Sequence, residues 1–430
     1  MKRFLQKRSE FFRHVSIVML GTAAAQAIPL AVSPLLTRIY GPEDFGIYAI
    51  YLAIAAIGTV AAAGRYEMAI MRPASEVEAC SVFNLAIVTA VITCTLLALV
   101  LIVTHALPWK GPTTELGSLQ FLLPFSICAL SVFTSIGYWL NRHKHYAQLS
   151  KLKVAQSALI AAGSVALGYW VGGATGLIAG TLIGQVALAL WPLVRIGGWR
   201  GASADSGTLR GTASRYWKYP AVSMPTALLD TFSQQAPTLV FSRFYNMTAT
   251  GHYNLGVRVL SSPAALISTA IGQVYFRRIA EIAREKPEAL PSEVMSTARK
   301  LLLIGLPIFL PLMLWGDVLF AWIFGAPWAK AGAYAQIIAF SALVKFVVSP
   351  LSTLFIALER LGTAAKWQTA YFCTSLATLA LGLVVPPSTL LIALAIHDFV
   401  MYGLYFYLIM HTSRSLAATV SAASNPPTTR

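Results

Sequence analysis

Several ionisable side chains fall near the middle of stretches that are otherwise apolar, among them Asp230 in 220–244, Lys345 at the midpoint of 334–356 and the adjacent His397 and Asp398 in 389–411, with Arg258 about a turn and a half into 253–276. A charge in hydrocarbon is costly unless it is partnered or hydrated, so residues of this kind point to binding or to ion movement. Arg258 and Lys345 are the two cations of this set. At about 100° per residue, Arg258 shares one helical face with Ser261, Ser262, Ser268, Thr269, Gly272 and Gln273, while Val259, Leu260, Leu266, Ile267 and Val274 occupy the opposite face. Asp230 and Gln234 stand four apart, on one side of a helix. The expected substrate contacts are therefore Arg258, Lys345, Gln273 and Gln234, with Arg65 at an apolar segment's end. Asp230, Asp398 and His397 are the ion-coupling candidates. A structural alternative has Asp230 neutralising Arg258 or Lys345. Neighbours on a helix project in different directions, which argues against His397 and Asp398 acting as one relay.

The elements that must position these groups are membrane helices. Of 430 residues 57% are hydrophobic and only 11% charged, with mean hydropathy +0.67. A soluble surface needs roughly twice that share of charge. The apolar runs are continuous rather than alternating, which selects helices over a barrel. Twelve spans are expected, at 15–37, 46–64, 79–104, 118–140, 154–172, 174–196, 220–244, 253–276, 300–324, 334–356, 367–385 and 389–411. Residues 1–14, with Phe4, Leu5, Phe11 and Phe12 among basic residues, read as a cytoplasmic interfacial helix. The domain plan is a six-helix bundle over 15–196, a linker over 197–219, a second bundle over 220–411 and a tail over 412–430.

Of the 32 lysines and arginines, 26 fall in loops on one side and four on the other. By the positive-inside rule the rich side is cytoplasmic, so both termini lie there. The net charge of +16 is this topology signal, and no nucleic-acid partner is needed to explain it. Cys80, Cys94, Cys128 and Cys373 lie in or beside apolar runs without metal-ligand spacing, and read as small hydrophobes. No glycine-rich phosphate loop, HExxH or nucleophile elbow occurs, and no loop is large enough for a soluble active site. Neither an enzyme, a metal nor a cofactor is expected.

The chain echoes itself at an offset of 205. Thr37-Arg38-Ile39-Tyr40-Gly41 followed by Gly46-Ile47-Tyr48 answers to Ser242-Arg243-Phe244-Tyr245-Asn246 followed by Gly251-His252-Tyr253. Pro108-Trp109 and Pro327-Trp328 form a weaker echo. Six spans per repeat is even, so the halves should be related by a pseudo-two-fold axis along the membrane normal, with a site between two bundles that rock. Pro29 and Pro34 in the first span, and Pro220, Pro225 and Pro237 in the seventh, make the opening helix of each half deformable.

With Leu36-Thr37-Arg38-Ile39-Tyr40-Gly41-Pro42-Glu43-Asp44-Phe45-Gly46-Ile47-Tyr48, the stretch Gly64-Arg65-Tyr66-Glu67-Met68-Ala69-Ile70 followed by Pro73, Glu76 and Glu78, and the turn from Arg243 to Tyr253, the sequence resembles the bacterial polysaccharide or O-antigen flippases. Their superfamily also holds the lipid II flippase and the multidrug and toxic compound extrusion transporters. The resemblance implies movement of undecaprenyl-diphosphate-linked oligosaccharide across the inner membrane, for lipopolysaccharide or other surface polysaccharide, by alternating access. It implies membrane lipid as surroundings, and leaves open coupling to protons or sodium and contact with polysaccharide polymerase machinery. Arg65 and Glu67 would lie where the headgroup enters, or form a local ion pair that anchors topology. A drug exporter of the same superfamily is the rival that Asp230 and Asp398 keep open. A membrane glycan polymerase or ligase is a second, disfavoured by the short loops.

Overall fold

A computed structural model describes residues 2–106, 114–196 and 209–424, and every regular element among them is helical. In chain order the α-helices are α1 (Lys2–Ile39), α2 (Pro42–Ala62), the single turn α3 (Tyr66–Ala69), α4 (Glu76–Ala106), α5 (Leu123–Arg142), α6 (Tyr146–Trp170), α7 (Gly173–Ile196), α8 (Leu209–Arg215), α9 (Met224–Phe244), α10 (Met247–Glu285), α11 (Leu290–Phe324), α12 (Ala329–Leu351), α13 (Thr353–Ala357), α14 (Leu361–Ala380) and α15 (Pro387–Ser424). Among the described residues ten helices are long and apolar enough to cross a membrane. The two remaining expected spans fall on α9 and α14, which have 21 and 20 residues but carry Asp230, Gln234 and Gln235, and Lys366, Gln368 and several threonines. The first span and the expected interfacial helix form one uninterrupted helix, α1. The side chains of residues 2–17, the Pro108-Trp109 echo, residues 197–208 of the expected linker and 425–430 of the tail lie outside what is described.

Contacts divide the chain into two compact units, Met1–Gly251 and His252–Arg430. In the first unit α6 and α7 pack backbone to backbone, with Gly180 against Gly163 and Ser164. Small residues let membrane helices approach in this way without a hydrophobic driving force. Hydroxyls tie the same unit together: Tyr48 to Thr181 (2.8 Å), Tyr51 to Ser126 (2.5 Å), and Tyr40 donating to the Ser164 carbonyl (2.6 Å). Helix α9 packs with this unit, against α2. In the second unit Gly316 of α11 meets Gly332 of α12 in the same close manner.

The repeated motif has a local explanation. Gly41 is the N-cap of α2, and the Asp44 carboxylate accepts from its N–H (2.9 Å). At the equivalent position before α10, the Asn246 side chain accepts from the Ala249 N–H (2.7 Å). Both are helix-start devices. The glycine five residues on is fixed by contact. A methyl group on Gly46 would overlap the Met247 carbonyl oxygen, and one on Gly251 the Pro42 carbonyl oxygen. Pro42 and Met247 are themselves equivalent at offset 205, so the contact is reciprocal, as isologous contacts are. A second correspondence lies at the ends of the fourth and tenth expected spans. Lys144 and Glu359 both take positive φ (59° and 56°), and the next N–H in each case returns to the carbonyl five residues earlier, His145 to Leu140 (2.9 Å) and Arg360 to Phe355 (2.8 Å).

Two helices depart from straight geometry. A five-residue π-turn, Tyr219–Ser223, contains Pro220 and leads into α9, where Pro225 and Pro237 follow. Helix α11 breaks at Trp315 (φ −131°, ψ 27°), just after Pro307 and Pro311.

Candidate functional site

In the second unit three helices converge on one carboxylate. Asp398 of α15 is buried, at 9% exposure. Its Oδ2 lies 2.5 Å from Nζ of Lys345 on α12, and its Oδ1 accepts from the Tyr371 hydroxyl of α14 (2.8 Å). The Lys345 ammonium also stands 5.9 Å and 5.7 Å from the ring centres of Tyr371 and Tyr402, within cation–π range. Trp367 stacks on Tyr371 and on Tyr405 (3.9 Å, 9° between planes) and donates its indole N–H to the Met401 carbonyl (3.1 Å). This aromatic wall fixes the phenol that orients the carboxylate. The Lys345 side chain keeps 36% exposure against 12% for Asp398.

The carboxylate that Lys345 meets is thus Asp398. Asp230 is exposed on α9 and accepts from its own helical neighbour Gln234 (3.1 Å). His397 and Asp398 do not act in separate directions as their adjacency suggested. Both reach α14: His397 Nε2 lies 2.9 Å from Thr374 Oγ1, and its Nδ1 sits 3.5 Å from Asp398 Oδ1. Long side chains at neighbouring positions can converge when a third element supplies partners between them.

Arg258 is half-buried and makes no ion pair among the described residues. The Gln273 side chain lies outside what is described. The polar face expected on α10 reaches a groove of about 490 Å³, where Ser268 and Gly272 face Ser349, Pro350 and Thr353. Phe276 and Ile356 complete its lining, the Thr353 hydroxyl donates to the Pro350 carbonyl (2.8 Å), and the groove holds no charge.

In the first unit Gly64 and Arg65 are consecutive residues with positive φ (56° and 61°), forming the tight turn from α2 to α3. This conformation is strained for arginine. Arg65 Nη1 lies 3.5 Å from Glu67 Oε1, and Nη2 lies 2.8 Å from the Met68 sulfur. Glu67 is buried with Oε2 unpartnered. Burial raises its carboxyl above the ordinary range, and the Arg65 guanidinium only partly opposes this.

Sequence reasoning missed three residues nearby. Arg142 donates to the Ile70 and Pro73 carbonyls (3.1 and 2.8 Å) and pairs with Glu76 (3.3 Å), clamping the loop that follows α3. Glu78 is held by Arg215 (2.8 Å) and the Tyr216 hydroxyl (2.9 Å). The acids after Pro73 at a helix start were the available signal for both. Lys153 stands one residue before the fifth expected span, yet it lies inside α6, with Nζ 3.3 Å from Thr22 Oγ1 on α1. One turn further on, Gln156 Nε2 is a buried donor without a hydrogen-bond partner.

Comparison with known proteins extends this geometry. Residues 35–333 match the family model described as polysaccharide biosynthesis protein. The succinoglycan biosynthesis transport protein ExoT of Rhizobium meliloti (strain 1021) is 23% identical over 369 residues, covering 82% of this chain and 70% of that one. The teichuronic acid biosynthesis protein TuaB of Bacillus subtilis (strain 168) is 22% identical over 237 residues, 54% of this chain, and the match spans only 47% of TuaB's length. Among solved structures, the lipid II flippase MurJ in an inward closed conformation superposes with TM-score 0.67 over 95% of this chain and 93% of its own, at 13% identity. An inward-facing MATE-family multidrug transporter superposes with TM-score 0.62 over 94% and 98%, at 14% identity. At such identities the structures speak to the fold alone.

Proposed function

The chain belongs to the polysaccharide biosynthesis protein family, and from that premise we propose that it is a flippase rather than an enzyme, moving undecaprenyl-diphosphate-linked oligosaccharide from the cytoplasmic to the periplasmic leaflet of the bacterial inner membrane. The observation that carries this reading is the set of cations within apolar helices: Lys153 in α6, Arg258 in α10 and Lys345 in α12. A diphosphate crossing a low-dielectric layer needs such charges, and a cationic drug would be repelled by them. ExoT, by its printed description a transport protein of succinoglycan biosynthesis, supports the direction of the reading.

The working architecture is twelve spans in two six-span halves about a pseudo-two-fold axis along the membrane normal, with both termini cytoplasmic and alternating access as the cycle. The skew of basic loops supports the orientation. The reciprocal approach of Gly46 and Gly251 supports the axis. In this reading Arg258 and Lys345 meet the phosphates, Gln234, Gln273 and the α10 hydroxyls meet the sugars, Arg65 lies at the entry, and Asp230, Asp398 and His397 take part in coupling.

The test is a deletion strain complemented with variants. Loss of the protein should remove surface polysaccharide and leave lipid-linked oligosaccharide on the cytoplasmic face. Arg258→Ala and Lys153→Ala should each insert normally and restore export poorly. Normal surface polysaccharide in the deletion strain, together with lost efflux of cationic drugs, would favour the multidrug-exporter reading that the MATE-like fold also accommodates.

A further inference from the structure

The hydrogen bonds around His397 fix where its proton sits. The Thr374 hydroxyl lies 2.7 Å from the Ala370 carbonyl oxygen, an atom that can only accept, so its one hydrogen is used there. At 2.9 Å from His397 Nε2, Thr374 Oγ1 must therefore accept, and Nε2 carries the hydrogen. In neutral His397 this leaves a bare lone pair on Nδ1. That atom is buried, has no hydrogen-bond partner, and stands 3.5 Å from Asp398 Oδ1. Two lone pairs facing each other account for the gap. A proton on Nδ1 would turn the same approach into an ion pair.

We propose that His397 is a proton site linked to anion binding: protonation at Nδ1 gives Asp398 a second cation and releases Lys345 to an anion of the phosphate class. The linkage rests on the role assigned to Lys345 above. The bookkeeping of charge is simple. With His397 neutral, Lys345 and Asp398 cancel. With His397 protonated, the cluster carries one net positive charge, which a bound anion balances. One N–H bond forms at Nδ1 with a proton from water, Asp398 Oδ1 accepts from it, and Oδ2 no longer requires the ammonium. Release of the anion returns Lys345 to Asp398, and the proton leaves.

The surrounding groups permit this exchange. From α12 the cluster is faced by Lys345, from α14 by the Tyr371 hydroxyl, and from α15 itself by Tyr402. Tyr253 on α10 interacts with Asp398 through space. On α11, Asp317 is engaged instead by Gln336 (3.3 Å). Among the described residues Lys345 is thus the cation His397 must relieve. Its side chain is partly exposed, so a change of rotamer does not require the helix to unpack.

Sulfate is the probe, because its charge does not change across the range of about pH 5 to 8 in which histidine titrates. Binding to the intact protein in lipid nanodiscs should strengthen by roughly tenfold from the alkaline to the acid end of that range, toward the lower end of typical coupling between sites. His397→Gln keeps a donor for Thr374 and should bind with no pH slope. Lys345→Ala should bind weakly at every pH. A flat wild-type profile, a slope that persists in His397→Gln, or full binding by Lys345→Ala would each overturn the linkage. The wild-type profile needs no variant to fold. Export distinguishes the two levels: failed glycan export in Lys345→Ala with a flat wild-type sulfate profile sinks the proton linkage alone, whereas normal export in Lys345→Ala sinks the role given to Lys345.

Discussion

Removing the ammonium of Lys345 leaves a carboxylate at 9% exposure with the Tyr371 phenol and the His397 imidazole beside it and no fixed cation. Breaking a fully enclosed ion pair costs roughly 3–5 kcal/mol. Lys345 keeps 36% side-chain exposure, so Lys345→Ala should destabilise the protein by about 2 kcal/mol, read by denaturant or thermal unfolding in detergent. Adding Asp398→Asn should recover most of that loss, and a strictly additive double variant would deny the coupling. Glu67 gives a pH dependence of defined sign. Burial raises its folded carboxyl above the unfolded value. The folded state therefore holds a proton the unfolded chain has released, and stability falls as pH climbs through the window just above the ordinary carboxylate range. Glu67→Gln lacks that loss, so its melting temperature should gain on the wild type as pH rises through the window. A variant that falls behind instead would show that the Arg65 pairing outweighs burial. At this scale the sequence announced which residues bear charge, because charge in an apolar run is conspicuous. It did not announce that Lys345 and Asp398 are partners, since they lie on different helices and only packing brings them together.

At the scale of elements, hydropathy delimited the helices well where a span is uniformly apolar and less well in α9 and α14, whose polar residues dilute the signal. The π-turn before α9 followed from its prolines. The break at Trp315 did not, because Pro307 and Pro311 lie a turn or more before it. Lys153 was misplaced for a related reason: α6 begins at Tyr146, earlier than its apolar run does. The glycines at 46 and 251 support the sharpest prediction here. Alanine at either would drive a methyl group into a carbonyl of the facing turn, and overpacking of this kind costs about 1–3 kcal/mol. Gly46→Ala and Gly251→Ala should each lower the unfolding midpoint. Gly362→Ala, where nothing approaches within 4 Å, is the control expected to leave it unchanged.

For the whole molecule, the distribution of lysine and arginine makes a claim that labelling can check. Lys144 and Lys330 are both exposed and lie on opposite sides of the expected topology. In a background without the four native cysteines, Lys144→Cys should react with a membrane-impermeant maleimide only after the cytoplasm is opened, and Lys330→Cys in intact spheroplasts. The reverse pattern would invert the protein. The fold class was legible because lipid imposes one strong rule, that the backbone must satisfy its own hydrogen bonds. The chemistry of the proposed substrate was legible only as a sign of charge, because a phosphate and a sugar can be met by many arrangements of donors.

The reciprocal glycines carry a consequence for how such a chain changes over time. Each occupies the space beside its counterpart motif's carbonyl, so neither copy can accept a bulkier residue, and a compensating change in the other has no side chain to remove. Random libraries built at 46 or 251 should return glycine almost alone, while the exposed Glu43 and Thr248 nearby accept many residues. A duplicated chain whose halves have drifted far apart would then keep its oldest resemblance where copy touches copy.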